Sequence, residues 1–237
     1  LFRACKDMFD VIGSHATLMA ETSCISKWDG KLICNAKDPI SSGLSLDGFL
    51  PEDHFANTGA ELFSMGAGGS TIALTWHLLQ EIRGNNRPER IVVSDLSESR
   101  LVHIRKIHKS FGSDIPIEYC LVDSAQDNND ILASMAAGSV VINATGLGKD
   151  SPGSPLSDAA NFPENAIIWE LNYRGDLVFL DQAKAAKVAQ GLQIEDGWTY
   201  FIHGWTQVIA EVFNIEIPVA GDRFEAISRI AAKVTGK

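Results

Sequence analysis

The clearest indication of a binding site in this sequence is a cluster of three glycines, Gly66, Gly68 and Gly69. They lie between an apolar segment and a helical pattern. A strand, a glycine turn and a helix in that order form the phosphate-binding corner of a dinucleotide-binding fold. Gly66 would allow a sharp turn, and Gly68 and Gly69 would let backbone N–H groups approach a pyrophosphate at the positive helix end. Because Thr71 replaces the third glycine of the usual pattern, a glycine-rich turn without a ligand is the alternative interpretation.

Two more polar positions fall where predicted strands end. Asp95 closes a strand predicted at 91–93, and 143–148 (Asn-Ala-Thr-Gly-Leu-Gly) follows another at 139–143. Ligands of doubly wound sheets gather at such strand ends, and an acidic residue there can bind both hydroxyls of an adenosine ribose while repelling a 2′-phosphate. No arginine directly follows Asp95, so we predict NAD, with NADP as the alternative because Arg100 could fold back. The other interpretation of Asp95 is an aspartate in a surface turn.

Strand and helix patterns alternate from residue 61 onwards. Further strands are predicted at 115–122 and 166–171, and helices at 101–111, 131–137, 177–190, 199–213 and 222–234. This alternation implies right-handed βαβ crossovers and a parallel sheet covered on both faces. We therefore predict an α/β fold with a doubly wound parallel sheet of the Rossmann type.

The first 50 residues carry a different pattern. Their apolar residues recur at steps of three and four and predict one face of a single amphipathic helix: Phe2, Cys5, Phe9, Ile12, Ala16 and Met19. Two short strands are predicted at 23–27 and 31–36, around an Asp-Gly turn. Pro39 restricts the residue before it, so we expect Asp38 to be extended and to hold its carboxylate at the end of the second strand.

Composition excludes several classes of protein. The 237 residues carry a net charge of -10, which argues against a surface for nucleic acids or anionic membranes. No apolar run approaches the ~20 residues of a membrane helix, and no signal peptide is indicated. The cysteines form no CxxC pair and the histidines lack partners at ligand spacing, so we expect no metal site and a cytoplasmic protein. The first residue is not Met, and we expect a segment before it.

Four motifs stand in a fixed order along the chain. They are Gly66-Ala67-Gly68-Gly69-Ser70, Asn143-Ala144-Thr145, Glu170-Leu171-Asn172-Tyr173 and Asp196-Gly197. Their order and spacing resemble the shikimate/quinate dehydrogenase family, whose motifs are GAGG(A/S), NATxxG, D-(L/M)-x-Y and DG. Upstream, residues 21–24 resemble the family's AVNT and residues 35–38 resemble its NTD. The resemblance covers nearly the whole chain.

The resemblance implies a two-domain enzyme of aromatic amino acid biosynthesis or quinate metabolism. It places an NAD(P)-binding Rossmann domain at 51–198, the remainder of a smaller α/β substrate-binding domain at 1–50, and helices returning towards that domain at 199–237. The family moves a hydride between a nicotinamide and a hydroxyl of a cyclohexene or cyclohexane carboxylate. A small-molecule substrate and a monomer or homodimer are expected.

The family's catalytic pair is a Lys and an Asp, and Asp38 matches the Asp. A Lys beside a carboxylate can accept the alcohol proton as the hydride leaves. The matching Lys is expected upstream of the first residue. Lys6 lies on the polar face of the predicted helix, and Lys37 would point to the opposite side of an extended strand from Asp38, so both are weaker candidates.

The resemblance also implies binding residues. For the cofactor they are Gly66, Ala67, Gly68, Gly69, Ser70, Asp95, Asn143, Ala144, Thr145, Leu171 and Gly197. For the substrate they are Ser23, Tyr173, His203, Gly204 and Gln207. His203 either contacts substrate or packs within its helix, and Arg174 either clamps a substrate carboxylate or lies exposed in a loop.

Departures from the family concentrate among the substrate residues. Ser23 stands where the family has a substrate-binding Asn, Cys24 replaces its Thr, and Gly204 replaces a substrate-binding Gln. A pocket without those amides leaves substrate hydroxyls unpaired and discriminates against them. We therefore expect a different, bulkier or less hydroxylated substrate. The alternatives are a non-catalytic sensor of cofactor or metabolite, and a dehydrogenase of other chemistry, such as the reduction of an imine or an acyclic ketone.

Overall fold

The computed structural model describes residues 2–236, except the side chain of Arg3. The chain forms two compact units. Unit 1 contains the residues up to Gly48 and those from Thr199 onwards, and unit 2 is Phe49–Trp198. Among the described residues, no helix combines the length and the apolar character needed to cross a membrane.

Unit 2 is built on one parallel sheet. Its strands are β4 (Leu62–Met65), β5 (Ile91–Asp95), β6 (Ile117–Leu121), β7 (Val140–Asn143), β8 (Ile167–Glu170) and β9 (Gln193–Glu195). Its helices are α4 (His54–Thr58), α5 (Gly69–Leu78), α6 (Glu98–Phe111), α7 (Ala125–Ala133) and α8 (Val178–Gln190). The strand order is β6-β5-β4-β7-β8-β9, every pairing is parallel, and helices cover both faces. The predicted doubly wound α/β fold is confirmed.

The central strands of this sheet are buried over their whole length. Every residue of β4, β5, β7 and β8 is buried, as expected for parallel strands covered on both sides. Side chains such as Phe63, Val141 and Ile168 pack with Phe162 and Phe179 in one apolar cluster. This packing fixes the carboxyl ends of neighbouring strands side by side.

Unit 1 contains a small sheet and flanking helices. Its elements are α1 (Phe2–Cys5), β1 (Val11–Ile12), α2 (Ser14–Met19), β2 (Cys24–Trp28), β3 (Lys31–Asn35), α3 (Asp38–Phe49), α9 (Trp198–Phe213) and α10 (Gly221–Thr235). The strand order is β1-β3-β2, with β1 parallel and β2 antiparallel to β3. A small core of Ala16, Cys34 and Ala36 lies between these elements, with Ile12 packed against it.

The single helix predicted near the start of the chain is wrong. The segment instead divides into α1, a short 3-10 turn, β1 and α2. Backbone pairing with β3 interrupts it, because Asp10 N–H donates to the Leu32 carbonyl and Gly13 N–H donates to the Cys34 carbonyl, both at 2.9 Å.

Two further local predictions are corrected. Asp38 is not extended but begins α3, where Pro39 is tolerated because the first helical turn leaves its N–H groups unpaired anyway. The helix predicted at 131–137 begins earlier, as α7, because Ser124 and Asp127 form a capping box. Strand β9 was not predicted.

A buried polar chain joins α5, α6 and β6. The Thr75 hydroxyl lies 2.8 Å from Nε2 of His108, whose Nδ1 lies 2.8 Å from the Tyr119 hydroxyl. Burial lowers the pKa of His108 to about 4, so its imidazole is neutral at physiological pH. Both ring nitrogens are therefore satisfied without a charge.

We predict that Thr75→Val will lower the free energy of unfolding by about 1–3 kcal/mol, because it leaves a buried ring nitrogen of His108 without a partner. Urea unfolding followed by far-UV circular dichroism measures this. Thr75→Ser is the matched control because it keeps the hydroxyl. Equal destabilisation by the two variants would contradict the role assigned to the hydrogen bond.

Candidate functional site

The carboxyl ends of β4 and β7 form the point at which the strand order reverses. From β4 the chain moves outward to β5 and β6, and it then returns to place β7 on the other side of β4. Ligands of doubly wound sheets bind in the crevice at this point. A cavity of about 390 Å³ lies there, lined among others by Gly66, Asp95, Asn128, Thr145 and Leu147.

The glycine turn is shaped by close backbone approach. Gly66 has a φ of +103°, and a Cβ there would lie 2.8 Å from the Ala144 carbonyl oxygen. The Thr71 hydroxyl donates to the Gly66 carbonyl and lies 2.9 Å from the Ser64 hydroxyl. Thr71 therefore closes the turn from inside, which explains a threonine at the place of the third glycine.

No side chain caps the N-terminus of α5. Its N-cap residue, Gly68, provides no side chain to cap the helix, and an added Cβ at Gly68 would meet no atom within 4 Å. Gly69 and Ser70 open the helix, and Ala67 precedes the cap. The backbone N–H groups at the positive end of a ten-residue helix are of the kind that binds a pyrophosphate.

Asp95 is held at the edge of the same cavity. The residue as a whole is 8% exposed, and its carboxylate oxygens accept hydrogen bonds from the backbone N–H groups of Ala67 and Ser97, both at 2.8 Å. Each oxygen keeps a second lone pair that can accept from a ligand hydroxyl. Arg100 does fold back, with Nη1 3.8 Å from Oδ2 of Asp95, while Leu96 is exposed.

A ring of hydrogen bonds fixes the loops after β7 and β8. Asn143 Nδ2 donates to Glu170 Oε2 (2.7 Å), and the backbone N–H of Asn172 donates to Glu170 Oε1 (2.8 Å). Asn143 Oδ1 accepts from the Thr145 N–H and hydroxyl at 3.0 and 2.6 Å. Asn172 Nδ2 donates to the Thr145 and Leu147 carbonyls. The ring holds the Ala144–Leu147 segment against the cavity.

Glu170 was missed as a functional residue, since the sequence presented it only as part of a motif. Its side chain is fully buried, and this burial raises its pKa to about 7, although hydrogen bonds from Asn143 and Asn172 and the charge of Lys149 oppose the shift. The one available signal was a Glu where the family motif has Asp. Glu170 thus orients two amides and titrates near neutrality.

Gly197 lies against the end of β8. A Cβ on Gly197 would overlap the Leu171 carbonyl oxygen and lie 2.7 Å from the Asn172 carbonyl carbon. Tyr173 is half-buried, and the Arg174 guanidinium lies 5.8 Å from the centre of its ring. Arg174 is exposed and also lies 3.8 Å from Asp150 Oδ1, so it forms no fixed clamp. Unit 2 therefore brings together the predicted cofactor residues 66–70, 95 and 143–145.

The substrate-side predictions in unit 1 fall into two groups. Around β3, the Ser23 hydroxyl accepts a hydrogen bond from the Lys37 backbone N–H (2.7 Å), and Asp38 heads α3. Lys37 Nζ forms a 2.6 Å ion pair with Glu211 of α9, and Asn35 Nδ2 donates to the other oxygen of Glu211 at 2.7 Å. Sequence reasoning missed Glu211, because no motif marks it.

The second group lies on α9. His203 is 3% exposed and stacks on Phe224 of α10, with ring centroids 4.3 Å apart. Burial lowers its pKa to about 4, and Nδ1 has no hydrogen-bond partner within residues 2–236. Gly204 and Gln207 are partly exposed, and a Cβ on Gly204 would meet no atom within 4 Å. His203 thus packs against Phe224 with one ring nitrogen left without a partner, whereas packing does not require a glycine at 204.

No group of three or more His, Cys, Asp or Glu side chains able to hold a metal ion occurs in the described part of the chain. The polar groups at the crevice are instead backbone N–H groups, amides and single carboxylates.

We predict that Glu170 makes stability depend on pH. Its folded pKa of about 7 lies above the ordinary value of 4.5, so its contribution is fully present below pH 4.5 and is lost as the pH rises through 7. The free energy of unfolding of the wild type relative to Glu170→Gln should fall by about 2–3 kcal/mol between pH 5 and pH 8. Urea unfolding at each pH measures the difference.

Glu164→Gln, which removes an exposed carboxylate of the same unit, is the control for this measurement. The assignment is wrong if the two variants show the same pH dependence relative to the wild type.

Comparisons with known proteins were made against families, sequences and structures. No model of a known protein family matches the chain, and no curated protein matches it in sequence. Solved structures do match. Quinate dehydrogenase from Corynebacterium glutamicum in complex with NAD is 19% identical, with a TM-score of 0.71 over 96% of this chain and 74% of that one.

Two other neighbours have different substrates in their names. Shikimate 5-dehydrogenase from Thermus thermophilus, in complex with NADP(H) and shikimate, is 20% identical, with a TM-score of 0.66 over 96% of this chain and 75% of that one. The 5-ketofructose reductase of Gluconobacter is 16% identical, with a TM-score of 0.63 over 96% and 75%. The resemblance inferred from the ordered motifs is thus confirmed at the level of structure: this chain has the fold of the shikimate and quinate dehydrogenases.

Proposed function

We propose that the protein is an NAD-dependent oxidoreductase that transfers a hydride between the nicotinamide and a hydroxyl or keto group of a small ring carboxylate. The observation that carries this proposal is the cavity at the strand-order reversal, where Gly66 has no room for a side chain and Asp95 is fixed beside it. The structural likeness to NAD- and NADP-bound dehydrogenases supports the same conclusion.

The residues at this cavity fit a dinucleotide. The turn at 66–70 and the open N-terminus of α5 would receive the pyrophosphate, and Asp95 would accept hydrogen bonds from the adenosine ribose. Residues 143–145, Leu171 and Gly197 would border the nicotinamide half. The cofactor supplies the exchangeable hydride, and the protein supplies binding and orientation.

Asp38 is the proposed catalytic residue of unit 1. It heads α3, and its carboxylate is only partly buried, so it can accept a hydrogen bond from a substrate hydroxyl. Ser23, Gly204 and Gln207 are the proposed substrate contacts of the same unit. The name of the 5-ketofructose reductase supports a wider range of ketone substrates within this fold.

A cofactor or metabolite sensor without catalysis is the second candidate. Three features of the substrate side favour it. The Ser23 hydroxyl already accepts a hydrogen bond from the Lys37 backbone N–H, His203 is buried against Phe224, and Gly204 has no side-chain amide. Such a protein would bind the dinucleotide and leave the panel of substrates described below unchanged.

We predict that the protein binds NADH at least about tenfold more tightly than NADPH, because the Asp95 carboxylate repels a 2′-phosphate. The double substitution Asp95→Asn and Leu96→Arg should reverse the preference. Fluorescence titration with both reduced cofactors measures it, and Val188→Arg, an exposed position on α8, is the control for an added arginine. Equal affinities in the wild type would contradict the proposed role of Asp95.

We predict turnover of at least one of shikimate, quinate and 5-ketofructose, followed by the absorbance of the reduced nicotinamide. Asp38→Asn should lower kcat by about 100-fold or more, because it removes a group that orients the reacting hydroxyl. Asp7→Asn, an exposed aspartate of the same unit, is the matched control. Tight NADH binding without turnover of any of the three would favour the sensor.

A further inference from the structure

The side-chain amide of Asn128 lies at the wall of the cavity in unit 2 and is held in one orientation. Asn128 belongs to α7, is 6% exposed and lines the cavity. The Ser94 hydroxyl donates to Asn128 Oδ1 at 2.7 Å, and Asn128 Nδ2 donates to the Pro155 carbonyl at 3.0 Å. Because a carbonyl oxygen only accepts hydrogen bonds, the nitrogen of the amide must face Pro155. The amide cannot exchange its nitrogen and its oxygen without losing this bond.

Both partners of the Asn128 amide are themselves fixed. Ser94 belongs to the buried strand β5. Pro155 is buried, and the segment after it is tied to α7, because the Ser157 backbone N–H donates to Asn129 Oδ1 at 3.2 Å. The orientation of the Asn128 amide is therefore set by the fold before any ligand binds, as a selective binding group requires.

Asn128 keeps one donor and one acceptor for a ligand. A side-chain amide has two N–H groups, and its oxygen has two lone pairs. Within residues 2–236, the bonds with Ser94 and Pro155 are the only hydrogen bonds of this side chain, and each uses one of these groups. One N–H and one lone pair remain on the same planar amide. Because buried polar groups are normally paired, this side chain at a cavity wall indicates a ligand with the complementary pair.

The surroundings of Asn128 suit a flat base. Val122 and Pro155 contribute apolar surface to the cavity beside Asn128. The Val122 N–H donates to the Asp95 carbonyl at 3.2 Å, so this part of the wall adjoins the residue at which the adenosine ribose is proposed to bind. A base is joined directly to its ribose. The base of a dinucleotide held by Asp95 would therefore lie in the same cavity.

The remaining groups of Asn128 match adenine and do not match hypoxanthine, its deaminated form. Adenine presents an amino group, which donates, next to a ring nitrogen, N1 or N7, which accepts. Hypoxanthine has a carbonyl oxygen in place of the amino group, and its N1 carries a hydrogen. Against the fixed amide it would place oxygen against oxygen, and at N1 also donor against donor. Turning the amide over would relieve this conflict, but the Pro155 carbonyl would then face an oxygen.

We propose that Asn128 selects adenine as the base of the dinucleotide: its amide donates to a ring nitrogen of the base and accepts from the 6-amino group. This inference rests on the proposed dinucleotide cofactor and extends its recognition from the pyrophosphate and the ribose to the base. Asn128 lies outside the four ordered motifs, and its partners Ser94 and Pro155 are 34 and 27 positions away in the sequence.

The test compares NADH with reduced nicotinamide hypoxanthine dinucleotide, which differs from NADH only at the base. Fluorescence titration serves for both, because both carry the reduced nicotinamide. The wild type should bind NADH about tenfold or more tightly than the hypoxanthine analogue, as expected for two matched hydrogen bonds to one base. Asn128→Ala should reduce this preference to about twofold or less, mainly by weakening the binding of NADH.

Asn129→Ala is the matched control, because Asn129 is the adjacent buried asparagine of the same helix and also binds the segment after Pro155. If this segment shifts, both dinucleotides should bind more weakly by the same factor, so the variant should keep the wild-type preference. Far-UV circular dichroism shows whether each variant is folded. The wild-type comparison tests the proposal even where Asn128→Ala does not fold.

The possible outcomes separate this inference from the proposed function. Equal affinity of the wild type for the two dinucleotides overturns the inference and leaves the cofactor proposal standing. The inference is also overturned if Asn128→Ala keeps the full preference, or if Asn129→Ala loses the preference to the same extent, because the base would then be selected elsewhere or by the position of the loop. Binding of neither dinucleotide by the wild type would overturn the cofactor proposal and this inference with it.

Discussion

The close approach of two backbones at Gly66 is the constraint on which the candidate dinucleotide site depends. A Cβ on this residue would lie 2.8 Å from the Ala144 carbonyl oxygen, so the ends of β4 and β7 can meet only without a side chain at 66. The Gly66 N–H also donates to the Ser94 carbonyl at 2.7 Å and ties the end of β5 to the same turn. A side chain there would separate three strand ends, and with them the walls of the cavity.

The buried carboxyl group of Glu170 fixes the end of the next strand, β8, to the end of β7, and it does so at a cost in stability. Removing a carboxylate from water is expensive, and the pKa of about 7 shows that the hydrogen bonds from Asn143 and Asn172 offset only part of that cost. We interpret Glu170 as a residue that positions the loop at the cavity, because the two asparagines that it binds also hold this loop. The Asn143 side chain binds Thr145, and the Asn172 side chain binds the Leu147 carbonyl.

The contrast between the two units explains how far the sequence could be interpreted. In unit 2 the four central strands are buried on both faces, so they appear in the sequence as short apolar runs, and helical patterns alternate with them. Near the start of the chain, Ile12 and Ala16 come from a strand and a helix, yet both face one small core with Cys34. Several short elements that share a core produce the same spacing of apolar residues as one helix, and only the pairing of β1 with β3 distinguishes them.

In the candidate site, too, the sequence could reveal only contacts between residues that are close together in the chain. Thr71 bonds a residue five positions away, and Thr145 bonds one two positions away, so motifs of a few letters contain these contacts. The Lys37–Glu211 ion pair joins residues 174 positions apart, and no local pattern can contain it. A dinucleotide is recognised mainly by backbone turns, which are local, whereas this ion pair is assembled from distant side chains. The proposed dinucleotide site is therefore the part that the sequence predicts, whereas the ion pair of Lys37 becomes visible only when α9 brings Glu211 close to the end of β3.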